Sequence, residues 1–265
     1  MALHPNFPDS PYIILDPEIR WFPADEALRD TSMDKLMSPL VPQLRRKVKE
    51  WRESGYVRAT DTSKSLLNWW FNTPHLLPQA YLPSPSGRGG GGEGLAEFQY
   101  YFSQREALET IIYLYDVVGV KDKFDLMRFD SSGAVSTGMF DETWRRFVVK
   151  MATGTGKTKV LSLVLAWSFY HKLYEPESEL ARNFLVIAPN IIVLDRIYKD
   201  FQGLRIFFED PVIPDNGVEG RDWRDDFQPT LQRAGRGSHY PADRQYLSDQ
   251  YPPGLCRRRH SRFAR

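Results

Sequence analysis

The chain has 265 residues, a formal net charge of +1 and one cysteine, Cys256. That length is sufficient for one large domain or two smaller ones with buried cores. The near-neutral total charge neither indicates nor excludes a nucleic-acid partner, because such binding depends on local basic patches. A single cysteine excludes an intramolecular disulfide and a cysteine metal cluster, which is typical of proteins of the reducing cytoplasm.

The sequence shows no signal for secretion or for membrane insertion. Residues 1–20 contain Asp, Glu and several prolines where a signal peptide needs a basic end and an apolar run. The longest apolar run, Val160–Trp167, is too short to span a bilayer. We therefore expect a soluble cytoplasmic protein with no membrane partner.

Residues 1–81 are predicted to be a mostly helical N-terminal region. Helical patterns cover residues 32–55 and 62–71, and Thr62 or Ser63 is a candidate cap of the second helix. The basic run at 45–49 is interpreted as a solvated helix face in preference to a phosphate contact. The aromatic residues at 69–71 are interpreted as core in preference to a stacking platform for bases.

Residues 82–94, rich in proline and glycine, are predicted to be a flexible linker. After a helical pattern over 97–117, short apolar strands are predicted at 145–150 and 183–189, each followed by a helix, at 157–174 and 191–201. Asn190 is placed to cap the last of these helices. This order predicts parallel strands with a right-handed crossover, in an α/β sheet covered on both faces.

The last segment, residues 231–265, differs in composition from the rest. Its aliphatic residues are three leucines, its basic residues are all arginine apart from histidine, and it has no helix or strand period. Such a segment buries little apolar surface, so we expect a disordered tail. A tail translated in a shifted reading frame, never selected to fold, explains the same composition.

The stretch MATGTGKT, residues 151–158, follows a predicted strand and opens a predicted helix. Gly154 and Gly156 give the backbone the freedom to curl around phosphate oxygens. Lys157 supplies a cation for the β- and γ-phosphates, and Thr158 supplies a hydroxyl for Mg²⁺. Met151 stands where the general phosphate-loop pattern has glycine. The pattern predicts a site for ATP with Mg²⁺.

A family resemblance supports this interpretation. The run ATGTGKT resembles motif I of superfamily 2 helicases, in which the first glycine is replaced. Upstream, FSQREALETI resembles their Q motif, and downstream NFLVIAPNIIVLDR resembles motif Ia of the helicase subunit of type III restriction enzymes. The resemblance covers roughly residues 10–230. It implies an incomplete P-loop (RecA-like) α/β fold, with residues 95–230 as part of a helicase ATP-binding domain.

By position, the resemblance implies roles for individual residues. Gln104 is implied to bind the edge of adenine. The alternative interpretation is that Gln104 is an exposed helix residue. Ala188, Pro189 and Asn190 approach a nucleic-acid backbone, although Pro189 and Asn190 also fit a strand end and a helix cap. Double-stranded DNA is the implied partner, and a methyltransferase subunit is a further candidate. The residues implied to hold the phosphates are Thr153, Gly154, Thr155, Gly156, Lys157 and Thr158, with Lys157 and Thr158 catalytic and Thr158 the metal ligand.

Hydrolysis in this class also needs an acidic pair at the end of another strand. Candidate acidic pairs stand at 25–26, 141–142, 209–210 and 225–226, and Glu209–Asp210 is the best match because it ends an apolar run. Pro211 and the reversed order of the acids argue against it. The run QRAGRG at 232–237 resembles an arginine-finger motif, but it follows the loop too closely. We therefore expect the opening part of an ATP-dependent DNA helicase or translocase; the alternative is a catalytically silent nucleotide- or DNA-binding module.

Overall fold

The computed structural model describes residues 10–18, 33–38, 40–78, 94–139, 146–188 and 191–231. Within these ranges the chain is mostly helical. The helices are α1 (Met33–Leu36), α2 (Val41–Glu53), α3 (Asp61–Asn72), α4 (Phe102–Ile112), α5 (Lys123–Phe129), α6 (Lys157–Tyr174), α7 (Ile191–Phe201), α8 (Arg205–Phe208) and α9 (Trp223–Asp226). The remaining elements are strands β1 (His75–Pro78) and β2 (Leu95–Phe98), a π-helical turn at Tyr113–Val117, and 3-10 turns at Thr137–Met139, Gln202–Leu204 and Val218–Gly220.

The described sheet has two antiparallel strands, β1 and β2. Their register pairs His75 with Phe98 and Pro78 with Leu95. The two strands lie on either side of the predicted linker in sequence. They therefore form a small antiparallel ribbon between the end of α3 and the start of α4. The predicted linker, residues 82–94, lies outside the described residues except for Gly94.

The expected parallel sheet is not seen in the residues that the structure describes. Residues 146–150 and 183–188 form no strand, and most of their apolar side chains are exposed, with Val148 at 77%, Leu185 at 80% and Ile187 at 81%. The sequence pattern indicates only that the side chains of these segments would suit a sheet. A strand, however, exists only where a neighbouring backbone takes up its N–H and C=O groups. In the described part of the chain, the strand pairing is the one between β1 and β2.

The two helices predicted around the glycine loop are confirmed. Helix α6 covers the predicted 157–174, and α7 covers the predicted 191–201. Helix α3 begins at Asp61, earlier than predicted, and its N-cap is Thr60, whose hydroxyl accepts the N–H of Ser63. The prediction of Thr62 or Ser63 as the cap was therefore wrong.

The core lies where α3, α4 and α6 pack together, with α2 against α4. The aromatic residues at 69–71 contribute to this core: Trp70 is 2% exposed and donates its indole N–H to the Val212 carbonyl, 2.8 Å away. They are packing residues, as interpreted from the sequence. Fully buried aliphatic residues of the core are Val48, Leu66, Leu67, Leu108, Ile112, Leu163, Val212 and Ile213.

The segment after α8 packs on the second half of α6. Trp223 is fully buried with its ring 4.8 Å from that of Tyr170, and Phe227 lies 5.1 Å from Phe169, measured between ring centroids. The Arg221 guanidinium lies over the Trp223 ring, at 5.1 Å from its centroid. These contacts fix residues 212–227 to the helix that begins at the glycine loop.

A buried carboxylate, Glu109, joins α2 to α4. Its side chain is fully buried and accepts hydrogen bonds from Arg52 at 2.5–3.0 Å, from Arg105 at 2.8 Å and from the Tyr56 hydroxyl at 2.7 Å. A buried charge is tolerated only when it is paired and hydrogen-bonded in this way. The network therefore specifies how the two helices meet.

The π-helical turn carries a second buried acid, Asp116. Its carboxylate accepts the N–H and the hydroxyl of Thr60, at 3.1 and 3.0 Å, and lies 3.2 Å from His171 Nε2. The other ring nitrogen, Nδ1, lies 2.7 Å from the Ser178 hydroxyl. Burial raises the pKa of Asp116, but hydrogen bonds from His171 and Ser63 outweigh it and lower that pKa below its usual value. The start of α3 is thereby tied to the end of α6.

Thr60 is an early test of this packing. Thr60→Val should lower the free energy of unfolding by about 1–2 kcal/mol, because the cap and the bond from the hydroxyl to Asp116 are both lost, while the backbone N–H bond to Asp116 is kept. Denaturant unfolding followed by circular dichroism measures the change. Thr110→Val, which removes a hydroxyl bonded within one helix, is the matched control. Equal effects of the two substitutions would contradict a special role for Thr60.

Two further observations bound the fold. No helix in the described ranges is both long enough and apolar enough to cross a membrane. Residue contacts divide the chain into one unit of residues 1–229 and a second of 230–265. In the second unit, the described residues are Thr230 and Leu231, so the predicted tail lies outside the described residues except for Leu231.

Candidate functional site

The glycine loop curls through two residues with positive φ. Gly154 has φ 86° and Gly156 has φ 78°, in the left-handed region that favours glycine. Gly156 is the N-cap of α6, and its carbonyl accepts the N–H groups of Lys159 and Val160, at 2.9 and 3.2 Å. A helix start leaves its first N–H groups without intrahelical acceptors and carries positive partial charge. Both properties favour an anion at this end of α6.

The cation and a hydroxyl of the loop lie at its carbonyl groups. Lys157 is exposed, and its ammonium donates to the Ala152 carbonyl at 2.9 Å and to that of Met151 at 3.4 Å. The Thr155 hydroxyl donates to the same Ala152 carbonyl, at 2.8 Å. Thr158, in the first turn of α6, is half-buried, and Thr153 is exposed. Lys157 is therefore held at the mouth of the loop and remains accessible to solvent.

Gln104 joins α4 to this loop. Its side chain is 6% exposed; the carbonyl oxygen accepts the Tyr101 N–H at 3.0 Å, and the amide nitrogen donates to the Thr155 carbonyl at 2.9 Å. The alternative of an exposed helix residue was therefore wrong. The same carboxamide both caps α4 and contacts the loop, so Gln104 lies together with the predicted phosphate-binding residues.

The predicted nucleic-acid residues are only partly visible. Ala188 is half-buried, and Pro189 and Asn190 lie outside the described residues.

The basic run of α2 was the other candidate for phosphate contact. There, Arg46 binds Glu18 and Asp34, and Lys49 binds Asp16. Acidic side chains already neutralise these cations, which supports the interpretation as a solvated helix face.

The acidic pair Glu209–Asp210 follows helix α8 instead of a strand. Glu209 accepts two hydrogen bonds from Arg205, at 2.6 and 2.9 Å, and Asp210 contacts the ammonium of Lys159 in the first turn of α6. Burial lowers the pKa of Lys159 to about 8, and the Asp200 carboxylate acts in the opposite direction. The Lys159 ammonium and the Asp210 carboxylate lie close enough to form an ion pair.

Sequence reasoning missed the Lys159–Asp210 contact. The signal available was the apolar run that ends in two acids, but no pattern indicated which basic residue would meet them. Of the other acidic pairs, Asp226 accepts the Tyr174 hydroxyl at 2.6 Å, and residues 25–26 and 141–142 lie outside the described residues.

The loop fits a nucleotide with its metal ion better than it fits a resident metal. In the described ranges, no group of three or more His, Cys, Asp or Glu side chains is placed to hold a metal ion. Mg²⁺ bound with a nucleotide, however, commonly uses one or two protein ligands together with phosphates and water. Thr158 is the residue in the loop that would hold Mg²⁺, and Lys157 would hold the phosphates.

Comparison with known families assigns the domain that carries this loop. Residues 97–228 form a superfamily 2 helicase-like domain. They match the family model of the type III restriction enzyme, res subunit. Searches of curated proteins and of solved structures gave no match. The matched range begins before Gln104 and ends after Trp223, so it includes the glycine loop and the segment packed on α6.

Proposed function

We propose that this chain carries the ATP-binding part of an ATP-dependent DNA helicase or translocase of the res-subunit kind. The assembly of Gln104, the loop carbonyl of Thr155 and Lys157 at the start of α6 is the observation that carries the proposal. In it, an adenine-reading side chain, a glycine loop and a cation converge on one helix N-terminus, as a nucleoside triphosphate requires. The family of residues 97–228 supports the same activity.

The proposed roles follow from the positions of the groups. Thr153–Thr158 surround the phosphates with backbone N–H groups, Lys157 contacts the β- and γ-phosphates, and Thr158 binds Mg²⁺. The bonds to Tyr101 and Thr155 leave one N–H donor and one oxygen lone pair of the Gln104 carboxamide free. Gln104 recognises adenine through these remaining groups. Ala188–Asn190 contact double-stranded DNA. A methyltransferase subunit is a proposed partner, and a reducing cytoplasm suits a chain with a single cysteine.

Lys157→Ala tests nucleotide binding directly. The substitution should weaken binding of a fluorescent ATP analogue with Mg²⁺ by roughly tenfold to a hundredfold, because charge-assisted hydrogen bonds of about 1.5–3 kcal/mol are lost. Fluorescence anisotropy of the full chain measures the affinity. Lys64→Ala, at an exposed position on α3, is the control and should leave the affinity unchanged. Absence of binding to the unaltered chain would overturn the proposal.

The alternative is a catalytically silent module that binds a nucleotide or DNA without turnover. The structure favours this alternative in one respect, since Glu209 and Asp210 are engaged in ion pairs and follow a helix. ATPase assays with and without duplex DNA separate the two functions. Turnover stimulated by DNA would exclude the silent module, and nucleotide binding without turnover would support it.

A further inference from the structure

Lys159 and Asp210 form an ion pair at the first turn of α6, the helix that begins at the glycine loop. The Lys159 side chain is 17% exposed and that of Asp210 is 32% exposed, so the contact is largely removed from solvent. The two residues come from distant parts of the chain, the first turn of α6 and the turn after α8. Their contact joins the proposed phosphate-binding turn to the segment that packs under it.

The position of Lys159 places this pair beside the proposed phosphates. Its backbone N–H bonds to the Gly156 carbonyl at 2.9 Å, and a Cβ added at Gly156 would lie 3.8 Å from its own Cβ. Side chains of an α-helix tilt toward the helix N-terminus, which here is the loop. The Lys159–Asp210 contact therefore lies at the first turn of α6, the helix end that the proposed function assigns to an anion.

The backbone on the other side of the pair is fixed. The Tyr100 hydroxyl donates to the Pro211 carbonyl at 2.9 Å, and the Trp70 indole donates to the Val212 carbonyl at 2.8 Å. Val212 and Ile213 are buried in the core. Because these two bonds and the burial of Val212 and Ile213 hold residues 211–213, we expect the backbone of Asp210 to stay in place when its partner is removed.

From these contacts we infer that Lys159 is a positioning residue, which neutralises Asp210 so that a polyphosphate can be held at the start of α6. This inference rests on the proposed function. An unpaired carboxylate near the phosphates repels them. At separations on the order of 10 Å and an effective dielectric constant of about 20, one uncompensated charge changes anion affinity by roughly tenfold.

A double-substitution cycle in the full chain tests the inference. The probes are a fluorescent ATP analogue with Mg²⁺, and inorganic tripolyphosphate as a competitor that lacks adenine. Lys159→Met should weaken both by roughly tenfold, Asp210→Asn should have a smaller effect, and the double variant should regain most of the loss. Lys159→Arg, which keeps the charge, should bind nearly as well as the unaltered chain.

Salt dependence separates charge neutralisation from a merely structural role. The loss caused by Lys159→Met should shrink between low salt and about 0.5 M salt, because added ions screen the repulsion by Asp210. Lys199→Met, at an exposed position on α7, is the control and should leave affinity unchanged. A loss that Asp210→Asn does not relieve, or one independent of salt, would overturn the inference.

Failure of the inference differs from failure of the proposed function. If the unaltered chain binds neither probe, the proposed function is wrong. If it binds both and Lys159→Met binds equally well, only the role of Lys159 is wrong. Thermal unfolding identifies a variant that does not fold. If Lys159→Met does not fold, the affinities of Lys159→Arg and Asp210→Asn for the probes decide. The inference requires Lys159→Arg to bind as well as the unaltered chain.

Discussion

Replacing Glu109 with alanine should lower the free energy of unfolding by about 3–5 kcal/mol, which is the expected cost of breaking a buried ion pair from one side. The carboxylate is fully buried and accepts hydrogen bonds from Arg52, Arg105 and Tyr56. Its removal leaves two guanidinium groups without their buried partner, and the cavity adds to the cost. Glu109→Gln should cost less, because it keeps the volume and one acceptor oxygen.

Denaturant unfolding measures this loss. Glu50→Ala is the matched control on α2, since Glu50 forms an exposed i,i+3 pair with Lys47. That pair should contribute less than about 1 kcal/mol, as exposed ion pairs do. Similar losses for Glu109→Ala and Glu50→Ala would show that the buried network does not hold α2 against α4.

Gly156→Ala should weaken ATP binding by roughly 30- to 150-fold, which corresponds to about 2–3 kcal/mol. The residue has φ 78°, a conformation that costs an L-residue about 1–2 kcal/mol. The added Cβ would also lie 2.2 Å from the amide nitrogen of Gln104, so that side chain must move and its bond to Thr155 is lost. Both effects act on the loop where the phosphates are proposed to bind.

Gly154→Ala provides a control for backbone strain. Gly154 has φ 86°, but nothing lies within 4 Å of an added Cβ. It should therefore weaken binding of the fluorescent ATP analogue less than Gly156→Ala does. In a Gln104→Ala background the cost of Gly156→Ala should shrink, because the collision is gone. Equal effects of the two glycine substitutions would show that contact with Gln104 is not important for the site.

Helices were predictable from the sequence where the pattern is local. The boundaries of α6 and α7 follow from apolar periodicity and, for α6, from the loop before it. The start of α3 does not follow from the local pattern, because Thr60, Thr62 and Ser63 can each cap a helix. The bond between Thr60 and Asp116, which are 56 positions apart in sequence, accompanies the observed choice, and no local pattern contains it.

The site was predictable as a set of loop residues but not as a set of contacts. The glycines and Lys157 are readable because phosphate binding needs those residue types at that spacing. Gln104 was singled out only by the family resemblance, and its bond to Thr155 joins positions 51 apart in the chain. The predicted strands depend on pairing between distant segments, which a period of two in the sequence does not specify.

The π-helical turn at Tyr113–Val117 sets the angular position of Asp116. A π-type turn holds one residue more than the α-helical path does, and successive residues of an α-helix are about 100° apart around the axis. Loss of a single residue from this turn would therefore rotate Asp116 away from Thr60 and His171. An insertion or deletion in this turn would change the angular position of Asp116 around the helix axis. The carboxylate would then face solvent or apolar side chains in place of its two partners.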